Sequence, residues 1–185
     1  MKRVGALVAT MAMLASIGAS ASAATPLGHD LLSPKVMPGL SPYYLAAAQT
    51  RSCPESTFRQ PTSAASVREV LANRSSESLL LEKITTAKNT KSAYDVALAN
   101  LTTCTNRSTA DGRVTSARAH AVNLGRFSVP VRAFSVSFVL QGEHATGVIA
   151  YARKGSAVLT LADVSLTTLN VRVVKVLLAK ALAKI

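Results

Sequence analysis

The chain has 185 residues, 49% of them hydrophobic, with 21 basic against nine acidic residues and a net charge of +12. That length accommodates one domain and a leader. With two cysteines, no Trp and neither an HExxH nor a CxxC pattern, the composition sets aside a zinc site and an aromatic stacking platform for nucleic acid.

Met1, Lys2 and Arg3 precede an uncharged run from Val4 to Ala19, and Ala21-Ser22-Ala23 fits a small-x-small cleavage site before Ala24. Residues 1–23 therefore read as a signal peptide: the run is too short and too rich in Ala, Gly, Ser and Thr to anchor in a bilayer. The expected location is outside the cytoplasm, secreted or associated with the cell envelope. Removal of Lys2 and Arg3, with no acid lost, takes the net charge from +12 to +10. The cations are dispersed, which suits a general attraction to an anionic polymer or lipid better than one nucleic-acid groove. In an oxidising compartment the two cysteines, Cys53 and Cys104, are expected to pair. Closing such a loop restricts the unfolded chain by about 4 kcal/mol in the chain-entropy model.

Residues 24–52, with Pro26, Pro34, Pro38, Gly39 and Pro42, read as an irregular leader of the mature domain, and 53–185 as a single α+β unit. Ala65 to Asn73 alternates as a strand, Ser75-Ser76 turns, and Ser78 to Thr86 forms the next strand. One helix over the whole region is the competing reading, which Asn73 to Ser76 opposes. Leu79-Leu80-Leu81 predicts burial on both faces. Ser92-x-x-Asp95 fits a capping box, and Tyr94, Ala97, Leu98, Leu101 and Cys104 recur at helical spacing.

Four strand-like segments follow: Val114 to Val122, Val131 to Gln141, Ala145 to Arg153 and Ala157 to Val164. Gly142-Glu143-His144 and Lys154-Gly155-Ser156 link the last three as hairpins, giving an antiparallel meander. Phe134, Val136 and Phe138 share one face, and Ser135 and Ser137 interrupt the other. Val171 to Ile185 predicts an amphipathic helix with Val174, Leu177, Leu178, Ala181 and Leu182 on one side. Arg172, Lys175, Lys180 and Lys184 lie on the other, either as a solvated surface or as a lipid-facing one. The expected architecture is a twisted antiparallel sheet of about five to six strands with packed helices and one disulfide.

Catalytic signals are sparse. His29, His120 and His144 have no second ligand at metal spacing, and no Gly-x-Ser-x-Gly elbow occurs. A triad assembled in space remains the enzymatic alternative, because triads are defined by geometry. No cofactor is called for. Two residues are candidates to line a cleft. His120 lies in or at the end of a strand. Glu82, between Leu80 and Ile84, is either an exposed edge carboxylate or a partly buried acid with a raised pKa. Glu69 lies on the neighbouring candidate strand and could approach it.

Leu31-Leu32-Ser33-Pro34, then Cys53, then Leu80-x-Glu82-x-Ile84 with Ala93, Leu98, Leu101 and Cys104, resembles the PknH-like extracellular (sensor) domain family of actinobacterial secreted proteins. The hairpins through Gly147 to Val164 and the closing helix resemble its C-terminal half. The resemblance implies a Cys53–Cys104 bond, a cleft for an extracellular ligand and no established catalysis. Related domains often carry a second disulfide and an aromatic residue ahead of the first cysteine. This chain has cysteines for one bond, with Tyr43 and Tyr44 as the nearest aromatics. The expected function is thus a secreted, non-catalytic, sensor-like binding domain. The alternatives are a secreted hydrolase with a hidden triad and a protein that docks onto another exported one.

Overall fold

The computed structural model describes residues 31–33, 35, 39–42, 65–73, 77–105, 114–140, 142–167 and 170–185. The expected signal peptide, Cys53 and the Cys104 side chain lie outside the described residues, and so does the expected disulfide. Seven strands, β1 (Leu40–Pro42), β2 (Ala65–Asn73), β3 (Ser78–Thr86), β4 (Val114–Val122), β5 (Val131–Leu140), β6 (Glu143–Lys154) and β7 (Ala157–Ser165), form one antiparallel sheet. Its order is β1-β2-β3-β7-β6-β5-β4. Helix α1 (Thr90–Thr105) follows β3, and α2 (Val171–Lys184) closes the chain.

The sheet is two meanders joined through the β3–β7 pair. The first, β1-β2-β3, runs forward in the chain, and the second is β4-β5-β6-β7. α1 connects β3, in the interior of the sheet, to β4 at its far edge, and packs on one face. Ala93, Tyr94, Ala97 and Leu101 meet Leu79, Leu81, Phe138, Ile149, Tyr151 and Val164 there. α2 covers the opposite face, with Val174, Leu177, Leu178, Ala181 and Leu182 on Leu80, Ile84, Val148, Ala150, Leu159 and Leu161. Because a strand alternates its side chains, a strand between two helices must be apolar in both phases. The continuous burial of Leu79, Leu80 and Leu81 follows from that placement.

The sheet has one more strand than the sequence suggests. β1 lies within the Pro-rich leader, where three residues pair with Leu71 to Asn73 of β2 and no periodicity can register. The start of α1 also differs from expectation. The Asn89 side chain accepts the Ser92 N–H at 3.0 Å, so Asn89 caps the helix and Ser92 lies within its first turn. Asp95 instead pairs with Lys91 at 2.7 Å, one turn back on an exposed face. Asn170 caps α2, taking the Arg172 N–H at 3.0 Å.

The β6–β7 hairpin turns at Gly155, whose φ of +55° suits a residue without a Cβ. The β5–β6 turn is centred on Gly142 (φ +89°), so Glu143 and His144 belong to β6 rather than to the turn. Gly147 meets a different constraint, since an added Cβ would stand 2.7 Å from Val164 Cγ2 and 2.8 Å from the Asp163 carbonyl oxygen.

Candidate functional site

On the α2 face, strand register sorts the side chains into rows that run across the sheet. One row reads Arg118, Ser137, Thr146, Ser165, Ser78 and Asn73 from β4 to β2, and every member is polar. The next reads His120, Ser135, Val148, Asp163, Leu80 and Leu71. The third, Val122, Ala133, Ala150, Leu161, Glu82 and Glu69, is apolar except at its β3 and β2 end. The face therefore grades from apolar beneath α2 to polar beyond its first turn.

Over the polar end, on the β4-β5-β6 side, lies an open groove of about 700 Å³. It is lined by His120, Ser135, Ser137, Thr146, Thr167 and the first residue of α2, Val171, with Val148 and Leu166 among its apolar walls. A site of this kind offers a few polar groups on an apolar floor, as small-ligand sites do. Its hydroxyls are held by local bonds. Thr146 Oγ1 donates to the Thr167 carbonyl at 3.4 Å, and the Thr167 N–H donates to Ser165 Oγ at 3.0 Å. Ser135 Oγ donates to the His120 backbone carbonyl at 3.4 Å and is thus directed at the strand rather than at the imidazole. Arg118 is exposed, lies directly opposite Ser137 and shares the face of His120, so a cation stands beside the groove on the edge strand. None of the lining residues is acidic.

Glu82 lies elsewhere. β3 and β4 are four strand positions apart, roughly 19 Å, so Glu82 and His120 do not form one site. Glu82 is 2% exposed and is covered by the Leu31–Leu32 segment. Its Oε2 accepts the Leu32 N–H at 2.6 Å, and its Oε1 is buried with no hydrogen-bond partner. Burial pushes this carboxyl up to about 7, against the pull of the Leu32 N–H and the Lys184 ammonium, while the neighbouring Glu69 charge pushes the same way as burial. Glu69 stands directly across from it on β2, and burial raises its pKa too, against Lys184. Lys184 also donates to the Leu31 carbonyl, so the segment is fastened to both β3 and α2. Asp163 on β7 is pushed up to about 6 by burial.

The imidazole and the acid nearest its row do not meet. His120, Ser135 and Asp163 share a row, but Asp163 is three strand spacings from His120, roughly 14 Å, with Val148 between Ser135 and the acid. A hydrogen-bonded triad needs contacts of about 3 Å. His144 is exposed on β6, two residues before Thr146, and His29 lies outside the described residues. Among the described residues no cluster of three metal-ligating side chains occurs.

Ser135 and Ser137 were visible in the sequence as breaks in an otherwise apolar strand. Thr146, Ser165, Thr167 and Asp163 left no such mark, because their alignment depends on register between distant strands. No protein-family model matches the chain, and no curated protein matches it.

Proposed function

We propose that this chain is an exported, non-catalytic binding domain of the sensor-like kind, and that the groove on its α2 face takes an anionic ligand. The observation that carries the reading is the groove lining: hydroxyls and one imidazole, Arg118 alongside, and no carboxylate among the lining residues. Hydroxyl, imidazole and guanidinium donors suit phosphate or carboxylate oxygens, and the absence of an acid from the lining leaves no like-charge repulsion at the site. The mature charge of +10 works in the same direction over longer range, steering anions toward the molecule. The separation of His120 from Asp163 disfavours a triad built on that acid, the one that shares the imidazole's row among the described residues. The kinship with PknH-like sensor domains belongs to this proposal and rests on the residues quoted for it together with the antiparallel sheet and closing helix.

Inorganic polyphosphate is a suitable first probe. In an NMR titration of the exported protein it should shift the His120 ring and the Ser135 and Thr146 amides, with Arg118→Ala and His120→Ala each weakening the effect several-fold. Shifts scattered over the basic surface but absent from the groove would overturn the reading. Labelling of a groove serine by a fluorophosphonate probe would favour the hydrolase instead.

A further inference from the structure

The outward side of α2 is a second surface, separate from the groove and unused by the reading above. With about 100° between successive residues, Arg172, Val176, Ala179 and Ala183 form one outward ridge. Lys175 flanks the ridge on one side and Lys180 on the other, and all six residues are exposed. The helix contains no acid. Among the described residues the two exposed large hydrophobics are Val171 (37%) and Val176 (53%), and both belong to this helix. Val176 projects to solvent between cations, where burial in the fold gives it nothing.

We propose that this face of α2 rests on an anionic lipid surface. Val176 sits at headgroup level, Ala179 and Ala183 let the helix approach closely, and Arg172, Lys175 and Lys180 reach the phosphates around it. Long basic side chains suit that arrangement because their stems lie along apolar surface while the charged ends stay wet. The ridge from Arg172 to Ala183 spans roughly 16 Å, enough for several headgroups. A protein partner with an acidic face would also satisfy the cations. The ridge between them is narrow and its apolar side chains, Val176, Ala179 and Ala183, are small, which favours a fluid surface over a shaped one. The helix is not long and apolar enough to cross a membrane, so the contact is peripheral.

The test is co-sedimentation of the exported protein with phosphatidylcholine vesicles, with and without 30% phosphatidylglycerol. Binding to the anionic vesicles only is expected. Lys175→Glu with Lys180→Glu should weaken it by about 30-fold or more, since each lysine near such a surface contributes on the order of a fivefold factor. Lys88→Glu with Arg132→Glu, exposed and away from α2, should leave most of the binding. Equal loss in both double variants would overturn the assignment to α2, as would equal binding to neutral vesicles or none to anionic ones. The chain has no Trp, so Val176→Trp supplies a single reporter at an exposed position. Its emission should shift to the blue on anionic vesicles, and an unchanged spectrum would remove Val176 from the contact. Each outcome is independent of the groove, because none of the substituted residues lines it.

Discussion

The two faces of the sheet bury similar numbers of side chains and differ in kind. The α1 face is built on rings, with Tyr94, Phe138 and Tyr151 among its buried residues and Phe134 packed against them. The α2 face is mostly aliphatic, its buried residues being Leu, Val, Ile and Ala with the one ring of Phe127 packed against them, and it carries Glu82, Glu69 and Asp163 where apolar side chains would pack as well. The α1 face buries polar groups as well, Lys83 and Thr160 opposite each other and the Tyr94 hydroxyl, but none of them is an acid. The α2 face carries its acids at the margin of its core and opens into a groove beyond it, where the proposed ligand would sit.

The largest test of that contrast is packing under α2. Leu178 is fully buried against the sheet, and Leu178→Ala should cost about 2–5 kcal/mol, measured by denaturant unfolding. Val176→Ala, two residues away on the exposed side, should stay within about 0.5 kcal/mol of the parent. Equal effects would mean that α2 does not carry the second core.

The next effect belongs to Glu82. A folded pKa near 7 against an ordinary 4.5 means that the folded state holds a proton the unfolded state has released, so stability falls as pH rises through that interval. The difference amounts to about 3 kcal/mol between pH 4.5 and pH 7. Glu69 and Asp163, also raised, slope the same way. Glu82→Gln keeps an acceptor for the Leu32 N–H and should flatten most of the slope. A Glu82 carboxyl titrating near 4.5 by NMR would contradict its burial.

Gly147→Ala should cost about 1–3 kcal/mol, because the new methyl meets the Asp163 backbone oxygen, which cannot step aside. Smallest of all, His120→Ala should leave the melting temperature nearly unchanged while weakening polyphosphate binding. A large loss of stability would give His120 a place in the fold rather than in the groove.

What could be read in advance follows the range of the forces involved. β2, β3 and β4 begin and end where alternation and turn residues place them, and α2 buries the very side chains its periodicity selects. These are local signals, complete within a dozen residues. The facing of Glu69 and Glu82 was also accessible, because a hairpin sets register between neighbouring strands. The polar row from Arg118 to Asn73 was not, since it depends on β7 entering between β3 and β6. Nor was the cover over Glu82, contributed by Leu32 from fifty residues upstream. The groove was half legible: two serines stood out on β5, and the threonines that complete it came from the other strands and the loop before α2.

The β3–β7 junction has a consequence for the order in which the molecule can be completed. Leu79 pairs with Val164, and the strand that unites the two meanders is the last one made. Until β7 emerges the chain is two partial sheets with bare edges, and until α2 follows it the second core has no lid. Contacts so distant in sequence close slowly. Such a delay would suit the export proposed for this chain, since a polypeptide crossing a narrow channel must do so before it folds. The topology leaves the two meanders unjoined until β7 and α2 have followed the other strands.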